Sequence, residues 1–177
     1  MYSLDTFYEI FPEEKDAIEY FIDIKYNDYV FCPHCGKMIE VNHRNDRPKL
    51  FNCRFCKNTF SIFKGTIFEK SDSDLRKWFY AAYSLLKSEK GFSAKQLQRE
   101  IGVTYKTAWR MLNKIRTVMK TDNMMSPEDI DKRSLPSRET YKFISDRFQN
   151  DYKNEFLFKE SNNGKKNLFE ILLALCA

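Results

Sequence analysis

The sequence predicts an α+β fold that is mostly helical, and three observations support this prediction. Two Cys pairs, each with the spacing C-x2-C, lie between Cys32 and Cys56 and are separated by seventeen residues. Short β-favouring runs surround these pairs. Most other segments repeat apolar residues at the 3.6-residue period of an amphipathic helix. We therefore expect a small four-cysteine zinc ribbon, followed by a helix-turn-helix domain and a helical tail.

Length and composition indicate a folded chain with one medium domain or two small ones. The 177 residues are 42% hydrophobic and 16% aromatic, which is enough for a packed core. No apolar run approaches the ~18 residues of a membrane span, so no membrane partner is expected. The N-terminal stretch has neither the basic nor the apolar region of a signal peptide, which predicts a cytoplasmic protein.

Residues 1–29 are predicted to form two short helices with an acidic surface. Ser3 can cap the first helix, and Pro12 suits the start of the second, where a missing N–H is tolerated. The apolar face of the second helix consists of Ala17, Ile18, Phe21 and Ile22. Residues 1–31 carry 8 Asp and Glu against 2 Lys and Arg, so we expect this segment to face away from any nucleic acid.

Residues 30–70 contain the four cysteines, whose pattern C-x2-C-x17-C-x2-C is typical of a structural zinc site. Each pair can form a knuckle, a tight turn whose two thiolates point at one ion. The predicted ligands of one structural Zn2+ are Cys32, Cys35, Cys53 and Cys56. Disulfides are the alternative, and a reducing cytosol opposes them. Four thiolates leave no open coordination position, so no catalytic role is expected for this metal.

The segment between the knuckles is predicted to form a hairpin, in which "MIEV" and "KLFN" are strands joined by the polar turn "NHRNDRP". After the second knuckle, "NTFSIF" is a third predicted strand, which ends at Gly65. His34 and His43 are not expected to bind the metal, because four cysteines already complete the tetrahedron. His34 is assigned to the first knuckle and His43 to the solvated hairpin.

Residues 71–120 are predicted to form a helical domain with three helices. The first, "DLRKWFYAAYSLLKSEK", can be capped by Asp72, Ser73 or Asp74. Its apolar stripe consists of Leu75, Phe79, Ala82 and Leu86.

A helix-turn-helix is predicted from Ser93 onward. Ser93 opens a short helix, Gly102 supplies the positive φ of a sharp turn, and Thr104 caps a second helix. The expected inward positions are Leu97, Ile101, Ala108, Met111 or Leu112, and Ile115. The alternative is a plain helical hairpin in a bundle, which the basic composition of "YKTAWRMLNKIRTVMK" disfavours.

The basic charge of the chain is concentrated in residues 32–120, which carry 19 Lys and Arg against 7 Asp and Glu. Such a segment favours a polyanion, although a solvated lysine-rich surface is the other interpretation. The N-terminal residues of the second helix in this motif contact base edges in the major groove. The candidate DNA-binding residues on it are Thr104, Tyr105, Lys106, Thr107, Arg110 and Lys114. Candidate phosphate contacts in the hairpin are Arg44, Arg47 and Lys49. Trp109 is either a core anchor or part of the DNA-facing surface.

Residues 121–138 are predicted to form a linker, because they contain two prolines and show no apolar period. Residues 139–177 form the expected helical tail, in which Tyr141, Ile144 and Phe148 recur at helical spacing. Cys176 has no partner in the cysteine motif and is expected to be a buried thiol. We find no internal repeat in the sequence.

Three segments carry a resemblance to a known family: "FPEEKDAIEYFIDIKYNDYVFCPHCG", "FNCRFCKNTFSIFKGTIFEKSDSDLRKWFYAAY" and "GFSAKQLQREIGVTYKTAWRMLNKIR". Together they resemble the N-terminal half of bacterial insertion-sequence transposases with a zinc ribbon, a helix-turn-helix and a DDE-type nuclease. In that family, the ribbon and helical region form the arm that holds the terminal repeats of the element. The resemblance implies that the four ribbon cysteines bind zinc and that Tyr105, Lys106, Thr107 and Arg110 lie on the recognition helix.

The chain departs from that family after residue 120. The resemblance implies an RNase H-like nuclease there, whose acidic ligands hold two metal ions ~4 Å apart. The remaining 57 residues are too few for that sheet and lack its alternating strand pattern. The segments "YKFISDRFQNDY" and "NLFEILLALCA" loosely resemble closing helices of the family. We therefore expect an internally deleted transposase without a catalytic domain, and we favour a non-enzymatic role.

The first functional hypothesis is a zinc-dependent, sequence-specific DNA-binding protein that binds element ends or a related site. Its expected partners are double-stranded DNA and either a second copy of the chain or a full-length transposase. Its expected location is the bacterial nucleoid. One alternative is an active transposase fragment that cleaves and joins DNA with Asp146, Asp151 and Glu155. These acids crowd one predicted helix, so a solvated helix face is the simpler interpretation. The other alternative is a zinc-ribbon adaptor of the transcription machinery.

Overall fold

The computed structural model describes residues 4–26, 29–40, 49–88, 91–119, 145–162, 164–165 and 167–176. This part of the chain contains seven helices and two small antiparallel sheets of two strands each, so the fold is mostly helical, as predicted. The strands are β1 (Tyr29–Phe31), β2 (Met38–Glu40), β3 (Leu50–Asn52) and β4 (Thr59–Ser61). The helices are α1 (Leu4–Ile10), α2 (Glu14–Tyr26), α3 (Leu75–Lys87), α4 (Ala94–Ile101), α5 (Tyr105–Val118), α6 (Asp146–Ser161) and α7 (Leu168–Cys176).

The chain divides into two compact units, and the boundary between them lies within α3. One unit consists of residues 2–80 with residues 176–177, and the other of residues 81–175. The first unit contains both sheets, and the second contains α4, α5 and α6. The finer division of the sequence into five segments stays a prediction.

The first unit is built around an aromatic core on α2. The predicted apolar face of this helix is buried, and it consists of Ala17, Ile18, Phe21 and Ile22. The ring of Phe21 lies 5.8 Å from Phe63 and 5.2 Å from Phe68, centroid to centroid. Phe68 in turn meets Trp78 edge to face at 5.3 Å. Burial of a Phe side chain is worth about 1.5–3 kcal/mol, so these rings hold the segment after β4 against α2.

The strand pairing differs from the predicted hairpin. β2 pairs with β1, and β3 pairs with β4, so each pair of strands encloses one C-x2-C turn. The predicted pairing of "MIEV" with "KLFN" is not among the pairs of the described strands. β1 was not predicted, because a run of three residues gives too weak a periodic signal. The turn "NHRNDRP" lies outside the described residues.

Helix α3 begins where two carboxylates accept its first N–H groups. Asp74 accepts a hydrogen bond from the Arg76 N–H at 2.8 Å, and Glu14 accepts one from the Leu75 N–H at 2.8 Å. Asp74 is therefore the cap among the three predicted candidates. The apolar stripe is buried through Leu75, Phe79 and Ala82, whereas Leu86 is half-buried and Leu85 takes the buried position.

Helices α4 and α5 form in the second unit as the local sequence predicts. Ser93 makes a capping box with Gln96, in which each side chain accepts from the other residue's backbone N–H. Gly102 ends α4 with φ +63°, which glycine adopts without steric strain. Thr104 accepts from the Thr107 N–H at 3.2 Å and starts α5. The predicted inward residues are all buried, namely Leu97, Ile101, Ala108, Met111, Leu112 and Ile115.

The tail contains α6 and α7, separated by a turn at Gly164. Helix α6 begins at Asp146, so Tyr141 and Ile144, on which its prediction partly rested, lie outside the described residues. In α7, Leu172 and Leu173 are buried, and Cys176 is a buried free thiol, as predicted. Burial raises the pKa of the Cys176 thiol strongly, which keeps it protonated at neutral pH.

Candidate metal centre and nucleic-acid interface

Each C-x2-C pair lies in a tight turn that closes a short hairpin. In the first turn, the Cys32 N–H donates to the Lys37 carbonyl at 3.0 Å, and the Gly36 N–H donates to the Cys32 carbonyl at 2.9 Å. Gly36 has φ +68°, a value that a turn of this shape requires at its end. The turn therefore directs Cys32 and Cys35 to the same side of the hairpin.

The second turn repeats the first, bond for bond. The Cys53 N–H donates to the Asn58 carbonyl, and the Lys57 N–H donates to the Cys53 carbonyl, both at 2.9 Å. Lys57 has φ +59°, close to the value of Gly36 at the matching position. The side chains differ between the two turns, but the backbone hydrogen bonds are the same, so the turns form a short repeat that we did not predict. Only the C-x2-C pattern itself signals this repeat in the sequence.

The two turns bring the four predicted ligands together. All four Sγ atoms lie within 4.8 Å of one another. The shortest sulfur pairs are Cys32 with Cys56 at 3.7 Å and Cys35 with Cys53 at 3.6 Å, each joining one turn to the other. All the cysteines are free thiols, so the structure contains no disulfide among them. This cluster can hold one metal ion.

The pKa shifts of two cysteines in the cluster have opposite directions. Hydrogen bonds from the N–H groups of Cys56 and then Phe55 lower the pKa of the Cys53 thiol to about 6. The Lys37 N–H acts to lower the pKa of Cys35, but desolvation and the three neighbouring cysteines raise it to about 11. A cation bound among the four sulfurs would stabilise all of them as thiolates.

The candidate DNA-binding residues of α5 cluster in its first turns. Tyr105 is 54% exposed, and Lys106 and Arg110 are exposed as well. Thr104 and Thr107 are occupied in capping, since their Oγ1 atoms lie 2.9 Å apart. The helix thus presents one aromatic and two cationic side chains to solvent beside a fixed N-terminus. Lys114, one turn further on, is half-buried.

The candidate phosphate contacts of the ribbon are only partly described. Arg44 and Arg47 lie outside the described residues. Lys49 forms an ion pair with Glu14 on α2, with Nζ and Oε1 2.8 Å apart. Its charge is therefore compensated within the first unit.

Trp109 is not a buried core anchor, which was one of the two roles considered for it, and its place on a DNA-facing surface stays a prediction. Its ring meets Phe148 of α6 edge to face, with centroids 5.4 Å apart, and the residue remains 39% exposed. The ring thus packs on the tail helix and stays partly exposed to solvent.

A buried charge cluster joins α5 to α6, and no pattern in the sequence indicates it. Arg116 is 2% exposed, and its Nε donates to Glu155 Oε2 at 2.7 Å. The guanidinium also donates to the Phe92 carbonyl at 3.0 Å and lies 3.9 Å from the centroid of the Tyr152 ring. Lys159 donates to the other Glu155 oxygen at 2.7 Å.

This cluster corrects the interpretation of Glu155 as part of a solvated helix face. The residue is 4% exposed and is held by two cations. Asp151, on the same helix, is half-buried, and the side chain of Asp146 is not described. Within the described residues, the four cysteines are the sole group of three or more potential metal ligands.

Comparison with known proteins shows a similarity to a protein of a transposable element. The chain is 31% identical over 124 residues to an uncharacterized protein in transposable element ISH50 of Halobacterium salinarum. The match covers 68% of this chain and 42% of the relative, so the chain spans less than half of that protein's length. No protein-family model and no solved structure matches the chain. Among the described helices, none has the length and apolar character needed to cross a bilayer. The chain is thus a homologue of a protein from an insertion-sequence transposable element and carries four cysteines placed to bind one metal ion.

Proposed function

We propose that this chain is a zinc-stabilised, sequence-specific DNA-binding protein derived from an insertion-sequence transposase. It binds double-stranded DNA at element ends or at a related site, and these 177 residues do so without cleaving the DNA. The similarity to a protein of a transposable element supports a role at the DNA of such an element. The observation that carries the proposal is the capped pair α4 and α5, which presents Tyr105, Lys106 and Arg110 at a helix N-terminus.

Zinc is the metal that the four sulfurs suit best. A tetrahedral Zn2+ with Zn–S bonds of about 2.3 Å places its sulfurs about 3.8 Å apart. The two shortest sulfur pairs, at 3.7 and 3.6 Å, lie close to that spacing. An all-sulfur set also excludes Mg2+ and Ca2+, which prefer oxygen ligands. The ion would hold the two hairpins together as one zinc ribbon.

The α4–α5 pair supports the helix-turn-helix interpretation. A turn of three residues, from Gly102 to Thr104, joins two helices whose buried residues face one another. In this motif, the second helix enters the major groove and its first turns contact base edges. Arg110 has the planar guanidinium that pairs with the O6 and N7 atoms of guanine. We therefore assign sequence preference to α5.

Phosphate contacts supply the rest of the affinity in this proposal. Arg44 and Arg47 are proposed to contact phosphates. Lys49 is a weaker candidate, because its charge is paired with Glu14. A homodimer or a complex with a full-length transposase would place two such arms on the two ends of an element. These partners and the nucleoid location remain part of the proposal.

The decisive experiment compares Arg110→Ala with wild type on DNA fragments selected by the wild-type protein. We expect Arg110→Ala to weaken binding by about 1–3 kcal/mol and to relax the preference at one base position, because one base-edge contact is lost. Lys153→Ala is the matched control, since Lys153 is an exposed cation on α6. Arg44→Ala should weaken binding equally on all sequences and reduce the salt slope by about one unit.

Two outcomes would contradict the proposal. If Arg110→Ala keeps both affinity and sequence preference while a ribbon variant loses preference, the ribbon and not α5 contacts the bases. If no DNA fragment is bound more tightly as salt is lowered, the chain is an adaptor for a protein, because phosphate contacts always produce a steep salt dependence.

A further inference from the structure

We propose that the ribbon carries a second DNA site, an aromatic and cationic face that stacks on unpaired bases. The hairpin face, as we name it, consists of Phe31, Met38 and Phe55 with the cations Lys37 and Arg54. This proposal rests on the proposed function in taking DNA as the ligand. It goes beyond that function in two respects. The binding residues lie on the ribbon and not on α5, and the DNA they bind is unpaired and not duplex.

The first half of the face lies on the β1–β2 hairpin. Phe31 is 63% exposed and Met38 is 51% exposed. The two residues are direct partners in the strand register, so their side chains lie side by side on one face. The opposite face of the same hairpin is buried through Val30 and Ile39. Both strands thus have an apolar residue inside and a second apolar residue in solvent.

The other hairpin shows that the ribbon does not need this apolar pair. Asn52 and Thr59 occupy the positions of Phe31 and Met38, because each residue stands at the same distance from its C-x2-C turn. Their side chains are joined by a hydrogen bond, in which Thr59 Oγ1 donates to Asn52 Oδ1 at 2.6 Å. The same backbone therefore accepts a polar pair at these positions. Adjacent exposed apolar residues that the fold does not require are typical of a binding surface.

The second half of the face lies on the second C-x2-C turn. Phe55 is 45% exposed, and two cations flank its ring, with Lys37 Nζ at 4.6 Å and Arg54 Cζ at 4.9 Å from the centroid. Lys37 precedes Met38 in the chain, so it connects the two halves of the face. His34 occupies the place of Phe55 in the first turn.

Exposed aromatic rings beside cations are the chemistry of single-stranded nucleic-acid binding. Bases stack on the rings, the cations follow the phosphates, and each stacked base contributes about tenfold to affinity. In a duplex the bases stack on one another and their faces are inaccessible, so the hairpin face requires unpaired nucleotides. Lys37, Arg54 and Lys57 are all exposed on the two turns, and this positive charge favours DNA over an apolar protein partner.

The experiment measures fluorescence anisotropy of the zinc-loaded full chain with three probes. These are an oligo-dT strand, the duplex selected by wild type, and that duplex with a single-stranded extension. The first variant, Phe31→Asn with Met38→Thr, carries the pair that the second hairpin already has. The second, Phe55→His, carries the residue of the first turn. Circular dichroism and bound zinc report whether each variant is folded.

We expect each variant to bind oligo-dT about tenfold more weakly and to lose the gain from the extension, with duplex affinity unchanged. Arg110→Ala should show the reverse pattern. If folded variants bind oligo-dT as wild type does, the hairpin face is not a base-stacking site. If wild type is a dimer by light scattering and the first variant a monomer, a second copy covers the face and the proposal fails. If oligo-dT is bound and no duplex is, the proposed function fails and this inference stands.

Discussion

At the scale of single residues, Cys53 has the environment that most favours a metal-binding thiolate. Its side chain is fully buried between the two turns and receives hydrogen bonds from the N–H groups of Cys56 and Phe55, which lower its pKa to about 6. Hydrogen bonds from backbone N–H groups stabilise the thiolate form, which is the form that binds zinc. Loss of this sulfur should therefore weaken metal binding more than loss of a surface thiol.

Cys53→Ser should release the zinc and unfold both hairpins, because the ion joins them and structural zinc contributes about 10–16 kcal/mol to folding. Residues 75–118 should keep their helices. Metal analysis and hydrogen exchange measure both effects. Cys176→Ser is the control, since this buried thiol lies outside the cluster, and it should keep one zinc per chain. Wild type without zinc, or a zinc content that depends on Cys176, would contradict the assignment.

Asp74 is the second residue whose local bonds allow a prediction. It caps α3 and makes an ion pair with Arg76 at 2.6 Å, and Arg76 also donates to the carbonyls of Phe11 and Pro12. Desolvation acts to raise the pKa of the Asp74 carboxyl, but hydrogen bonds from Arg76 outweigh it and lower the pKa below its ordinary value. The carboxylate thus holds Arg76, which joins the start of α3 to the residues that follow α1.

Asp74→Ala should lower the free energy of unfolding by about 1 kcal/mol at neutral pH, through the lost cap. Because the folded pKa is depressed, this contribution is present above the unfolded pKa of about 3.9 and disappears as pH falls through the folded value. Urea unfolding at several pH values tests both points. Asp72→Ala, at an exposed position before the same helix, should change little. An equal difference between Asp74→Ala and wild type at neutral and acid pH would refute the linkage.

At the scale of elements, α6 is held on α5 by contacts that are far apart in sequence. Arg116 and Glu155 are separated by 39 positions, and Trp109 meets Phe148 over a similar distance. A buried ion pair of this kind is costly to break, because removal of one partner leaves an uncompensated charge. Here Glu155 compensates Lys159 as well.

Glu155→Gln should destabilise the second unit by about 3–5 kcal/mol and release α6 from α5, since two cations lose their shared anion. Thermal unfolding and hydrogen exchange along α6 measure the loss. Glu160→Gln is the matched control, because Glu160 is exposed on the same helix. Unchanged protection of α6 in Glu155→Gln would show that apolar contacts alone hold this helix.

The elements also show which features local sequence can predict. Helices α4 and α5 were predictable to their caps, because Ser93, Gly102 and Thr104 act within one turn of their own position. The cluster of four cysteines was predictable from spacing alone. The strand pairing was not, since each strand has three residues and the pairing depends on hydrogen bonds around the C-x2-C turns. The burial of Arg116 was not predictable from local sequence, because its partner Glu155 lies on a helix that is distant in the sequence.

At the scale of the whole molecule, the question is whether this chain can cleave DNA. The chain matches 42% of its relative, so the activity of a longer protein is not evidence about these 177 residues. Two-metal cleavage requires several carboxylates around ions ~4 Å apart. In the described part of the chain, no carboxylates form such a group, and Glu155 is engaged by Arg116 and Lys159.

We therefore expect the purified chain, with Mg2+ or Mn2+, neither to nick nor to join any DNA that it binds, including the ends of its own element. A gel assay with supercoiled plasmid and labelled element ends measures both reactions, and DNA binding measured in the same samples shows that the protein is folded. Asp151→Asn is the informative variant, because Asp151 remains the half-buried carboxylate of α6. Reproducible cleavage that Asp151→Asn abolishes, with binding intact, would show that the tail supplies a catalytic ligand and would restore the enzymatic hypothesis.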